Sequence, residues 1–192
     1  MDGQALRFKA REEMKKPIII AVAVAIVLCV TAGRIYQVKR ELFLLRYLEP
    51  EAVSSLLKWG SYYGMSRIWL QNFSLSMTES NGDRKAKSGK DCHGYMMLHT
   101  QTAKYLRERL ARHISDCNIY ATEFNIAGGL LHIRSLLDRS AFGHYPTMIE
   151  MYNVGASGYQ RGKRAPVHVK RFNINYTYYK TEWNRYLWSV EI

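Results

Sequence analysis

The sequence predicts a mainly α-helical protein in which one N-terminal membrane-crossing helix precedes a helical globular domain. Three observations predict it. Residues 17–33 are an uncharged apolar run. Beyond them, apolar residues recur at steps of three and four. A chain of 192 residues with 47% hydrophobic content can build the core of one ordinary domain plus an appendage.

The run at 17–33 lies at the lower edge of the roughly 17–25 apolar residues a helix needs to span a bilayer. Arg7, Lys9, Arg11, Lys15 and Lys16 precede it, and Arg34, Lys39 and Arg40 follow. This bias favours a basic cytoplasmic leader over 1–16 and an outward-facing remainder. A cleavable signal peptide is the competing reading, because Val30, Thr31 and Ala32 resemble a cleavage site. The long charged leader favours an uncleaved anchor. Leu28 precedes Cys29 where a lipoprotein signal wants a small residue, which argues against lipidation there.

Residues 34–48 read as an amphipathic connector helix, with Val38, Leu42, Leu45 and Leu48 on one face and Lys39, Arg40 and Arg46 between them. Such a helix packs on the domain or lies at the membrane surface. Pro50 then restarts the chain with Glu51 in the first turn and Ala52, Leu56 and Leu57 on one face, ending near Gly60. Ser66 is placed to cap a second helix through Trp69, Leu70, Phe73 and Met77 to Glu79.

Lys+Arg 28 against Asp+Glu 16 gives a net charge of +12, a field that draws polyanions: nucleic acid, anionic lipid or a carboxylate-bearing cell-wall polymer. Charge alone does not choose among them. The 14 tyrosines suit a cleft that stacks on sugars, and equally an ordinary core.

Three ordered segments narrow the choice: Glu79 and Ser80; Gly94, Tyr95, Met96, Met97 and Leu98; and Met151, Tyr152, Asn153, Val154 and Gly155. In order and spacing they resemble the catalytic core of the SLT-type lytic transglycosylases, lysozyme-like enzymes that cut the glycan of bacterial peptidoglycan. Family members show an alanine and a serine after the Glu-Ser pair, then Gly-Leu-Met-Gln, then Thr-Ala. Here Ala86, Ser88, Gly94, Met96, Leu98, Thr102 and Ala103 fall on those positions without a gap. Residues 125–137 are similar to a family helix that opens with Asn-Ile, and the resemblance extends over about 55–176. Four positions depart from the pattern: Tyr95 replaces Leu, Met97 replaces a glutamine that binds substrate, and His132 and His168 replace Tyr.

The resemblance implies a lysozyme-like SLT domain over 49–192, with Glu79 catalytic and Ser88, Met96, Met97, Tyr152 and Asn153 binding substrate. By itself Glu79 reads as a solvated residue at the negative end of a helix. Held against hydrophobic side chains with its carboxyl in a cleft, it is favoured in the protonated form that a general acid needs. Gly94 should let the backbone approach the cleft closely, and Met96 should form a soft wall for a sugar or for Glu79. Tyr152 should bring its hydroxyl near Glu79 or the sugar; the alternative is a core tyrosine bonded to backbone. Gly128 and Gly129 should let their helix pack closely against another, with Ile126, Leu130, Ile133 and Leu137 buried and His132 in the core or cleft wall.

A glycosidase normally uses two carboxylates, and these transglycosylases resemble one with only the acid retained. Glu79 would protonate the oxygen between N-acetylmuramic acid and N-acetylglucosamine, then deprotonate the muramyl C6 hydroxyl, leaving a 1,6-anhydro end. A muramidase with a second carboxylate is one alternative, with Asp83, Asp91 and Glu150 as the nearest acids. A non-cleaving glycan-binding or scaffold module of a cell-envelope assembly or phage particle is the other. The implied partners are peptidoglycan strands and, through the N-terminal helix, the inner membrane, with the domain facing the periplasm and cell wall. No cofactor, metal or nucleic acid is implied. His93, His99, Cys92 and Cys117 lack zinc-site spacing, and whether Cys92 and Cys117 pair is left open. Arg84, Lys85, Lys87 and Lys90 read as solvated surface, or as contacts to peptide carboxylates or anionic lipid.

Overall fold

A computed structural model describes residues 3–140 and 143–189, with side chains from 21 onward. The chain divides into two compact units, Met1–Phe43 and Leu44–Ile192. The side chains of the basic leader and of residues 17–20 lie outside the described residues.

Helix α1 spans Gly3–Leu44. The apolar run and most of the segment read as a connector therefore form one continuous helix. Gly33 weakens a helix by only about 1 kcal/mol relative to alanine, too little to break it between good helix formers. Ala21–Leu44 is long and apolar enough to cross a membrane, with hydropathy 1.8 and none of its most apolar window buried; a signal sequence meets the same criteria. Thr31 returns its hydroxyl proton to the Val27 carbonyl at 2.8 Å, so this polar group is satisfied within the helix.

The second unit opens with a turn over 45–48, where a continuing helix was expected. Pro50 disfavours helical backbone in the residue before it, and Glu49 is extended at φ −62°, ψ 151°. Leu48 is buried and Leu45 stays exposed. The Tyr47 ring meets Phe73 at 5.7 Å and Tyr179 at 5.2 Å.

Helix α2 is Pro50–Tyr62, running past the expected end at Gly60 and stopping before Gly64 at φ 69°. Ala52, Val53, Leu56 and Trp59 are buried. Ser66 opens a 3-10 turn, Ser66–Ile68, and the start of helix α3, Trp69–Ser80, carries no side-chain cap. Helix α3 is buried on every side, which makes it the central element. Strands β1 (Cys92–His93) and β2 (Leu98–His99) form an antiparallel hairpin with Cys92 opposite His99. Helices α4 (Thr100–Leu110), α5 (Thr122–Arg139), α6 (Tyr145–Val154), α7 (Ala156–Gln160) and α8 (Pro166–Trp188) follow. The protein is mainly α.

Two packing relations position the site. Helix α8 runs antiparallel to α3: Trp183 meets Trp69 at 5.1 Å, Tyr179 meets Phe73 at 4.7 Å, and Asn175 donates to the Thr78 hydroxyl at 3.0 Å. The first turn of α8 therefore lies beside the last turn of α3. Helix α5 receives the hairpin. A Cβ on Gly129 would lie 2.5 Å from the Met96 Cβ, and one on Gly128 would lie 3.0 Å from Leu98. These glycines admit the hairpin segment as well as a neighbouring helix, since Gly128 also faces Leu106 and Leu110 of α4. Ile126, Leu130 and Ile133 are buried as expected, joined by Leu136, while Leu137 is half-buried.

Candidate active site

Glu79 occupies the last turn of α3, which ends at Asn81 in left-handed conformation, φ 55°. Its side chain is 12% exposed and that of His168 is 14% exposed, and Nε2 of His168 lies 2.8 Å from Oε1 of Glu79. A mostly buried carboxyl here has an imidazole partner, where an apolar surround was expected. With the proton on Nε2, the imidazole donates to Oε1.

Asn125 organises the hairpin next to this pair. Its Oδ1 accepts from the Met96 amide at 2.8 Å, and its Nδ2 donates to the carbonyls of His93 at 2.8 Å and Ile119 at 2.9 Å. Gly94, at φ 74°, is required here because a Cβ would lie 2.4 Å from the Asn125 amide nitrogen. The close approach at Gly94 is thus to Asn125. The Met97 amide closes a turn onto the Gly94 carbonyl at 2.9 Å, and Met97 itself is left-handed at φ 44°.

The five expected binding residues are placed differently from one another. Met97, Tyr152 and Asn153 line one cavity of about 440 Å³ together with Lys90, Cys92 and His132. The Tyr152 hydroxyl donates to the Met96 carbonyl at 2.5 Å. Burial first, and then the nearby Glu79 carboxylate, push this phenol well above its ordinary range, so it stays protonated and remains a donor. Met96 has no exposed surface; its side chain packs on Gly129 and only its backbone holds the cleft. The Ser88 hydroxyl accepts the amides of Lys90 at 3.2 Å and Cys92 at 3.3 Å, bracing the loop that carries both.

Further cavities extend the first. One of about 310 Å³ shares Thr102, His132 and Ala156 with it and reaches Tyr105 and Arg139. Another of about 350 Å³ shares Asn153 with it and contains His168, Arg164 and Arg171. The three cavities adjoin through these shared residues and are taken together as a groove; Glu79 lines none of them, and its link to the groove is the bond to His168, which lines the last. Among the described residues, no Asp or Glu lines any of the three. Glu150 instead faces a larger depression of about 910 Å³ between α6 and α8. Its Oε1 accepts the Ala165 amide at 3.4 Å, and Oε2 lies 3.9 Å from Arg164 Nε. That larger depression contains neither Glu79 nor Tyr152, so volume does not identify the site. Asp83 takes the Lys85 amide at 2.7 Å, and Asp91 is held 2.8 Å from His93 Nε2.

Against known proteins, a family model for the Transglycosylase SLT domain matches residues 65–175. The chain belongs to this family. No curated protein and no solved structure matches it. The SLT domain implies a transglycosylase-type enzyme acting on peptidoglycan. The match encloses Glu79, the hairpin, Tyr152 and His168.

Within the SLT domain, His168 stands out in the sequence only as a departure from tyrosine and is not among the expected site residues. The signal was that departure: an imidazole at a position where the family has a phenol. His132 is the second such case. Its ring lies 5.4 Å from that of Tyr152, and burial, aided by Arg139, lowers it to about 4, so it is neutral at ordinary pH. His93 has both ring nitrogens engaged, Nε2 with Asp91 and Nδ1 with the Tyr120 hydroxyl at 2.7 Å. Cys29, Cys92 and Cys117 are free thiols.

Proposed function

We propose that this protein is a peptidoglycan lytic transglycosylase that cleaves the β-1,4 bond between N-acetylmuramic acid and N-acetylglucosamine and leaves a 1,6-anhydromuramyl end. The observation that carries the reading is the placement of Glu79, largely buried and bonded to His168, which lines a groove where no carboxylate is found among the described residues. Glu79 protonates the bridging oxygen as the bond breaks. As carboxylate it then takes the C6 hydroxyl proton, and C6 oxygen closes on C1 with no water consumed. The His168 N–H bond to Oε1 strengthens as negative charge develops on Glu79, so it favours the transition state over the ground state. Met97 and Asn153 face the substrate, while Tyr152 holds the Met96 carbonyl and the turn that carries Met97.

The deciding measurement is mass spectrometry of purified sacculi digested with the full chain in detergent. The expected ends are lighter by one water than reducing muramic acid, and Glu150→Ala should still produce them. Mainly reducing ends that Glu150→Ala abolishes would establish the muramidase instead, and binding without cleavage would establish the scaffold module. We further propose that residues 17–33 anchor the protein in the inner membrane with 1–16 cytoplasmic and the SLT domain in the periplasm. In intact spheroplasts, added protease should then degrade the SLT domain; protection would reverse this topology.

A further inference from the structure

The groove carries charge that cleavage of a neutral sugar backbone does not use. Lys90 on the loop before β1, Arg139 at the end of α5 and Arg171 in the early turns of α8 all line it and are exposed. None has an ion-pair partner among the described residues. Arg164, the fourth cation of the groove, is otherwise occupied: it sits 4.1 Å from the Tyr159 ring centroid and donates to two backbone carbonyls. The three unpaired cations come from three separate elements and are distributed over all three cavities, so they form no local cluster. With no acid lining the groove among the described residues, their fields add along it and select a substrate carrying negative charge at several points.

Sugar hydroxyls and acetamido groups present no such charge. Peptidoglycan presents it in the peptides attached to its muramyl residues, whose free carboxylates repeat along the strand. We infer that the groove recognises glycan strands through the carboxylates of their attached peptides, with Lys90, Arg139 and Arg171 as the contacts. The loss of the substrate-binding glutamine at Met97 fits this assignment, because affinity withdrawn from the sugar contact is supplied by the peptides. The inference rests on the transglycosylase reading and names the substrate form that the same site takes.

The experiment uses the full chain in detergent and two substrates prepared from one batch of strands: untreated, and with the peptide carboxylates converted to neutral amides. Exposed ion pairs are individually weak, so three together should give untreated strands roughly a tenfold advantage in kcat/KM at low salt. The advantage should sit in KM and shrink at high salt, where surface charges are screened. Combined Lys90→Gln, Arg139→Gln and Arg171→Gln should abolish it. Each single variant should reduce it about two- to threefold, which provides a test if the triple variant does not fold. Equal rates on the two substrates, or an advantage retained by folded variants, would overturn the inference while leaving the transglycosylase reading intact. Cleavage of neither substrate would overturn both.

Discussion

Glu79 and His168 meet where the last turn of α3 lies against the first turn of α8, with Nε2 2.8 Å from Oε1 and both side chains mostly buried. The antiparallel packing of two helices thus brings together an acid and a base that are far apart in the chain. Each holds the other in one orientation, as the proposed delivery of a proton from Glu79 to a substrate oxygen would require.

Replacing the acid while keeping its shape is the first test. Glu79→Gln should fold normally and lose about 10²-fold or more of the cleavage rate, the usual contribution of a general acid. Near-normal turnover in a variant with unchanged thermal unfolding would remove Glu79 from its role.

His168→Phe keeps a ring and removes the donor. Hydrogen bonds to charged groups are worth roughly 1.5–3 kcal/mol, so kcat should fall about tenfold or more with little change in KM. His168→Gln and His168→Tyr supply a donor again and should recover part of the loss. A His168→Phe protein with undiminished kcat would reduce the pair to a packing contact.

Tyr152→Phe should act on stability first. The Met96 carbonyl would lose its donor in a buried setting, at a cost of about 1–3 kcal/mol. Denaturant unfolding reads this directly. Unchanged stability would mean that the hydroxyl serves the sugar or Glu79 instead.

His132 predicts an acid-sensitive fold. Its folded value is about 4 against roughly 6.5 for an unperturbed histidine, so the unfolded chain binds more protons between these values. Stability is then complete above about pH 6.5 and declines by about 3 kcal/mol at most as pH falls toward 4. His132→Tyr should flatten this decline. An identical slope in the variant would place the titration elsewhere.

Gly129→Ala forces a methyl against the Met96 Cβ, 2.5 Å away, where both partners are held by backbone. Overpacking of this kind costs about 1–3 kcal/mol. A melting temperature equal to that of the parent would show that the hairpin can withdraw from α5 without penalty.

The sequence by itself determined the helical class, the apolar N-terminal run and membership in the SLT family, because hydrophobic period and motif spacing are local properties. It also singled out Glu79 as the candidate acid, and several of the residues it named with it, Met97, Tyr152 and Asn153, line one cavity. Boundaries governed by neighbouring turns were less legible: Leu48 entered the core through a turn, and Ser66 began a 3-10 turn. Only the tertiary structure decided what each polar atom touches. It gave the Tyr152 hydroxyl to the Met96 carbonyl, turned Glu150 away to Ala165 and Arg164, buried Met96, and paired His168 with Glu79. The reason is geometric: a hydrogen bond is made or lost within an ångström, and that distance is set by helices packing from opposite ends of the domain, which no local pattern encodes.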